Sequence, residues 1–313
     1  MHFGLLCTAD VDTPQAIRDY VALNVEAEAL GFESSFLVEH HFSGWNQVAA
    51  TLMLQTCVAT HTSSLRLGTG VLVLPWHNPV LLAEQAATLD VISGGRLDLG
   101  VGKGYRHSEF RGFNVDPSEA DARFGEALDV VLRAWTTRQR FSHHGRYWHF
   151  DDVVVEPPPV QSPHPPIWVA AASEASIRRT AGQGHGLLLD QYASVDQIVE
   201  RVGWFGSGPV AVARQVYVAD SQAEADAALA RQAAYTRRTV DVSRSPAADG
   251  GSHVLRYADT EQHALFGVPD KVAAGLVALG RAGVDYVLVQ LAGGTGQQLR
   301  RFARDVLGPV AGA

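Results

Sequence analysis

Phe36-Leu37-Val38-Glu39-His40-His41-Phe42 is an apolar run that breaks abruptly into an acid and two adjacent imidazoles. Such a run reads as a buried strand that delivers its last side chains to an open end. In a barrel of parallel strands, ionisable groups at that end are the ones that do chemistry. An imidazole titrates near neutrality, so a His held there gives or takes a proton readily, and Glu39 beside it is placed to fix its tautomer. With 13 His in the chain, a surface or structural role for either ring stays open, as does a metal pair. Geometry speaks against the metal: neighbours on an extended strand point to opposite faces, and strand one carries no His-x-His.

The same rhythm of apolar strand and helix repeats on both sides of this stretch. His2 to Cys7 reads as a strand, and Thr13-Pro14 as an N-cap with Pro at the first helical position. Ile17, Val21, Val25 and Ala29 then mark a helix face at four-residue spacing, ended by Gly31. After the second strand, Ser34 to Val38, a helix from Val48 to Thr60 leads to a third strand, Leu65 to Val73, and a third helix runs on to Gly94-Gly95. Strand four, Arg96 to Val101, opens into Gly102-Lys103-Gly104-Tyr105-Arg106. Phe124, Leu128, Val131, Leu132 and Trp135 form a core-facing helical stripe. Phe141 to Pro166, with its aromatic–acid alternation and closing prolines, reads as an inserted hairpin. Strands follow at Ile167 to Ala172, Leu187 to Leu189, Val210 to Val218 and Tyr286 to Gln290, with helices at 173–182, 195–205, 222–239 and 270–282 and a closing helix that turns Leu299, Phe302 and Val306 inward.

Eight continuously apolar strands separated by helices predict a parallel sheet covered by helices, and within about 300 residues they fit a (β/α)8 TIM barrel better than an open doubly wound sheet. One domain over residues 1–313 is the expectation, with the 141–166 hairpin inserted and 240–267 a candidate lid that reads equally well as an ordinary loop. A net charge of -8 and the lack of any Lys/Arg run speak against a nucleic-acid partner. No run has membrane-spanning length, the start lacks a basic region, and Cys7 and Cys57 both lie in apolar segments. A cytoplasmic protein with two buried thiols is expected.

At the rim of such a barrel the strand ends would gather Glu39, His40, His41, the 75–78 loop, Lys103, Tyr105, Ser173 and Asp190. Lys103 supplies a cation, and Ser173 and Ser176 begin a helix whose free N–H groups favour a phosphate. Simple capping accounts for Ser173 as well. Paired glycines in Gly68-Thr69-Gly70 suit either a close approach by a ligand or a packing concession. Gly100-Val101-Gly102-Lys103-Gly104 follows a strand but lacks the third glycine of the dinucleotide fingerprint.

Taken together, Phe3-Gly4, Leu30-Gly31-Phe32, Glu39-His40-His41-Phe42, the run from Leu67 to Pro75, Asn78-Pro79, Ala83-Glu84-Gln85, Leu89-Asp90, Gly94-Gly95-Arg96, Asp116, Ser173, Ser176 and Gly267-Val268-Pro269 resemble the bacterial-luciferase-like flavin-dependent monooxygenases across nearly the whole chain. The resemblance implies reduced FMN (FMNH2) at the barrel mouth, reacting with O2 through a flavin hydroperoxide to hydroxylate or Baeyer–Villiger-oxidise a small organic substrate. It also implies a separate NAD(P)H:flavin reductase and a homodimer packed through helices of the first barrel units. Within it His40 matches the catalytic imidazole, with Glu39 as its orienter and His41 structural. Lys103, Tyr105, Ala172, Ser173 and Ser176 fall at the flavin and its phosphate, and Gly70-Val71 at a non-proline cis peptide beside the ring system. Two other readings share the scaffold: a deazaflavin-dependent hydride-transfer oxidoreductase, and a non-catalytic flavin-binding subunit. The silent luciferase subunit has Asn where His40 stands, which favours an active protein. Lys103 replaces an Arg of luciferase and loses its bidentate fork. Gly102 stands where luciferase has a reactive-site Cys, and the lid candidate is shorter, so long-chain aldehyde light emission is not expected.

Overall fold

The computed structural model describes residues 1–8, 12–44, 47–243, 263–293 and 296–308. Eight parallel strands close on themselves: β1 (His2–Cys7), β2 (Ser34–Leu37), β3 (Arg66–Thr69), β5 (Leu97–Gly102), β8 (Ile167–Ala170), β9 (Gly186–Leu189), β10 (Val210–Val218) and β12 (Tyr286–Leu291), with β12 returning to β1. The expected TIM barrel is therefore the fold.

Alternation along the strands sorts side chains between two layers. Phe36, Trp168, Leu188, Ala211 and Leu288 pack inside the barrel, whereas Leu37, Val169, Leu187, Val212 and Val289 face the surrounding helices. Gly68 makes room for the inner layer, since a Cβ there would lie 2.3 Å from the Phe36 ring.

The third strand is interrupted. β3 stops at Thr69, the Gly70–Val71 peptide is cis, and the chain resumes as β4 (Leu72–Val73), still paired with β5. Leu67 faces Leu97 but Leu72 faces Val101, so the interrupted strand carries one residue more than its neighbour, as in a β-bulge. The Thr69 hydroxyl bridges the gap, donating to Gly100 O at 2.7 Å and accepting from Gly100 N at 2.9 Å. Gly100 has to be glycine, because a Cβ would sit 1.8 Å from Thr69 O.

Most helices lie where the sequence places them. α1 (Pro14–Ala29) starts on the Thr13 cap with Pro at its first turn, followed by α2 (Thr51–Ala59) and α3 (Pro79–Ser93). The face of α1 differs from expectation: Tyr20, Asn24 and Ala27 are buried, and Val25 is exposed. A strict four-residue spacing drifts about 40° around the helix at each step, so it leaves the contact face within two turns. Tyr20 Oη donates to Gln55 Oε1 at 3.2 Å, an inward polar contact that an apolar count overlooks. Cys57, expected to be buried, is exposed on α2; Cys7 is buried.

The sequence reading also passed over two short elements, α4 (His107–Gly112) and β11 (Leu265–Gly267). The latter extends the sheet beside β10. Next in the chain, α5 (Ala120–Thr136) buries Phe124, Leu128, Val131 and Trp135 as expected. The insertion is an antiparallel hairpin, β6 (Phe141–His144) with β7 (His149–Val153). Its turn is tied to α5 by Glu126, whose carboxylate accepts from the backbone N–H groups of Arg146, Tyr147 and Trp148. α6 (Glu174–Gly182), α7 (Val195–Phe205), α8 (Gln222–Ser243), α9 (Pro269–Arg281) and α10 (Gly296–Phe302) complete the outer layer. Of the candidate lid, residues 244–262 lie outside the described residues, and its end is strand β11.

Candidate active site

A cavity of about 350 Å³ opens at the C-terminal end of the barrel strands, within the range of small-molecule sites. Its wall takes inward residues from most strands: Leu6 of β1, Val38 and His40 beyond β2, Gly102 of β5, Ala170 of β8, Leu188 of β9, Ala213 and Gln215 of β10, and Leu288 and Gln290 of β12. His40, Gly70, Val71, Lys103, Tyr105, Ala172, Ser173 and Ser176, all singled out from sequence, lie on this one wall.

His40 lies on this wall beside Glu109. Its Nδ1 is 3.1 Å from Glu109 Oε1, and the same oxygen accepts from the His41 backbone N–H at 2.9 Å. The Tyr105 ring meets the imidazole edge-on, with centroids 6.2 Å apart. Burial lowers the His40 pKa below 6.5, by more than the Glu109 hydrogen bond restores, so the ring is neutral at physiological pH. With Glu109 accepting from Nδ1–H, Nε2 is the atom free to take a proton.

Glu39 does not orient His40. Its side chain is wholly buried and points the other way, accepting from Val73 N at 2.9 Å, Trp76 Nε1 at 3.0 Å, His77 Nε2 at 2.9 Å and His41 Nε2 at 2.6 Å. Burial alone would push this carboxyl up, but the hydrogen bonds from His41, His77 and Trp76 outweigh it and bring the pKa down to about 2. Strand parity explains the difference: if Val38 and His40 face the cavity, Glu39 faces outward. Glu109 comes from α4, an element too short to announce itself by periodicity. His41, expected to be structural, packs edge-on against Trp76 and Phe113.

Elsewhere on the wall two cations gather around one carboxylate. Lys103 Nζ and Arg179 Nη2 both approach Asp121 Oδ1, at 3.1 and 3.8 Å. Beside them Ser173 caps α6, its Oγ lying 2.9 Å from Ser176 Oγ. Capping and anion binding are compatible here, because the cap leaves the first N–H groups of α6 and both hydroxyls at the cavity. Arg179 was not foreseen; its position one turn beyond Ser176 was the available signal.

A flavin phosphate fits this set. Two cations, two hydroxyls and a helix start share the wall, the single Asp121 carboxylate offsetting only one of the two positive charges, and apolar Leu6, Val38, Val71, Ala213 and Leu288 line the same cavity. Gln191 Oε1 and Gln290 Oε1, buried in the wall, have no hydrogen-bond partner among the described residues and can accept from a ring N–H. No group of His, Cys, Asp and Glu among the described residues is placed to hold a metal ion.

Comparison with known proteins gives the family. The family model of luciferase-like monooxygenases matches residues 1–286. The chain belongs to that family. It is 30% identical over 234 residues to the oxygenase component of flavin-dependent trigonelline monooxygenase from Acinetobacter baylyi, covering 70% of this chain and 64% of that one. It is 28% identical to the FMNH2-dependent dimethylsulfone monooxygenase of Pseudomonas putida, covering 84% and 79% respectively. An F420-dependent glucose-6-phosphate dehydrogenase from Kineococcus radiotolerans is 29% identical over 63% of this chain and 58% of its own. Among solved structures, the monooxygenase RslO1 from Streptomyces bottropensis superposes with a TM-score of 0.86 at 27% identity, covering 99% of each chain. The chain spans 49% to 64% of the length of the first curated relatives it matches. The relatives of this chain thus include both an FMNH2-dependent and an F420-dependent enzyme, and no helix among the described residues is long and apolar enough to cross a membrane.

Proposed function

We propose that this luciferase-like protein is the oxygenase component of a two-component system, taking FMNH2 from a separate NAD(P)H:flavin reductase and using O2 to hydroxylate or Baeyer–Villiger-oxidise a small organic substrate. The observation that carries the reading is a neutral imidazole, His40, held on Glu109 in a cavity whose wall also carries Lys103, Arg179, Ser173 and Ser176.

Lys103, Arg179, Ser173, Ser176 and the start of α6 would hold the phosphate, and the wall around Gly70-Val71 would flank the ring system. Bound reduced FMN supplies the electrons that activate O2. His40 Nε2 takes or returns the proton that oxygen transfer requires, and Glu109 keeps that nitrogen basic by fixing the proton on Nδ1. Apolar side chains of the wall keep bulk water from the reacting groups. Exposed Met53 on α2 and Leu81 and Ile92 on α3 support a homodimer through these helices.

The test is a binding titration of FMN, riboflavin and F420, followed by single-turnover reoxidation of bound FMNH2 in wild type and His40→Ala. FMN should bind best. His40→Ala should change the reoxidation course by about tenfold or more while flavin affinity stays within about threefold. Preferential F420 binding, with FMNH2 reoxidising as it does free in solution, would favour the deazaflavin reading; an unaltered course in His40→Ala would favour a non-catalytic subunit.

A further inference from the structure

The cavity wall holds a third cation, beyond the Lys103 and Arg179 assigned to the flavin phosphate. Arg106 is 2% exposed and lines the cavity beside Glu109, the hydrogen-bond partner of His40. Its Nη1 donates to Gln47 Oε1 at 2.9 Å and lies 3.7 Å from Glu109 Oε1, too far for a hydrogen bond. That carboxylate oxygen already serves His40 and the His41 N–H. Nε is buried without a hydrogen-bond partner among the described residues. A guanidinium has five N–H donors, and burying it is costly unless they are used. Here a nearly buried fork beside the catalytic imidazole has one hydrogen bond, although the Gln47 contact and the Tyr105 ring, 5.7 Å below Cζ, hold it in place.

We infer that Arg106, positioned by Gln47, is the substrate-recognition residue of this cavity and that the organic substrate carries a carboxylate. A carboxylate matches the free edge of the fork with two parallel N–H···O bonds, which a single-point acceptor cannot do. Glu109 stays compatible because its charge is taken up by the His40 and His41 donors, and Arg106 faces it only at ion-pair distance. The carboxylate anchored there would leave the remainder of the substrate in the apolar space between His40 and the wall formed by Val38, Val71 and Val73.

This inference rests on the cavity being the FMN-dependent oxygenase site, so its test is made on the FMN-loaded protein, with the phosphate pocket filled. The probes are benzoate and cyclohexanecarboxylate against benzamide and cyclohexanecarboxamide, measured by calorimetry and thermal shift. Carboxylates should bind at least about tenfold more tightly than the matching amides. Arg106→Gln should remove that preference while the FMN dissociation constant stays unchanged. Gln47→Glu, which keeps the guanidinium but sets a new carboxylate on it, should weaken the acids alone, and it serves where Arg106→Gln does not fold. Amides binding as well as acids, acids failing to bind at all, or either variant leaving the preference intact would overturn the inference. FMN failing to bind would sink the oxygenase reading instead.

Discussion

Glu39→Gln tests whether Glu39 is a structural carboxylate. In the folded chain Glu39 titrates at about 2 against 4.5 for the free side chain, because four donors converge on it in a fully buried site. At about 1.4 kcal/mol for each pH unit, that difference stabilises the fold by about 3 kcal/mol at neutrality. The group's pKa is depressed on folding, so its contribution is complete above pH 4.5, declines as pH falls toward 2 and is lost below. At pH 3 about 1.4 kcal/mol should remain. Glutamine keeps the shape but turns an NH2 toward groups that are themselves donors, adding a pH-independent penalty. Urea unfolding followed by tryptophan fluorescence should therefore show Glu39→Gln destabilised by about 3 kcal/mol or more at pH 7, the gap narrowing by about half that amount at pH 3. A variant within about 1 kcal/mol of wild type at pH 7, or a gap that is the same at both pH values, would refute the account.

Glu109→Gln should leave FMN binding intact but remove the influence that raises the His40 pKa, which an NMR titration of the imidazole would show as a further fall. With neutral His40 as the proposed working form, the acid limb of activity should lie below pH 6.5 in wild type and move lower still in this variant. Lys103→Ala should weaken FMN by about tenfold while riboflavin changes little, and the FMN effect should shrink at high salt; equal losses for both ligands would remove the phosphate assignment. Gly100→Ala should cost at least about 3 kcal/mol or prevent folding, since the added methyl meets Thr69 O rather than a side chain that can move; near-wild-type stability measured by denaturation would show that the β3–β4 break can relax.

How much of this was legible follows from the range of the signals. A barrel strand is short, continuous and apolar, and its apolar run is read within a few residues, so β1, β9 and β10 could be placed nearly to the residue. The cavity residues at strand ends came with them, because strand order alone brings Lys103 and Ser173 to one rim. What escaped had no periodic signature. α4 spans six residues and β11 three, below the length at which a repeat shows, and with α4 went Glu109 and the geometry of Arg106. Tyr20 and Asn24 were passed over for the opposite reason: their burial depends on hydrogen bonds to distant or backbone partners, and hydropathy counts only apolar groups.

The exchange of Glu39 for Glu109 carries the larger point about reading sites from sequence. Adjacency along a strand suggests partnership, yet the period of two makes adjacent residues the pair least able to meet across a barrel wall. The parity that turns His41 away from His40 applies equally to Glu39, so the residue that orients His40 had to come from another element. Here it comes from a helix 69 positions further on, and the same turn delivers Tyr105 and Arg106. One loop after β5 thus supplies the imidazole's hydrogen-bond partner, the ring against its edge and the unspent cation beside it, and β2 supplies only the imidazole. Substitutions at Tyr105, Arg106 and Glu109 should accordingly move proton transfer and substrate preference, whereas changes at Glu39 should act mainly on stability, its charge being the smallest of the influences on the His40 pKa.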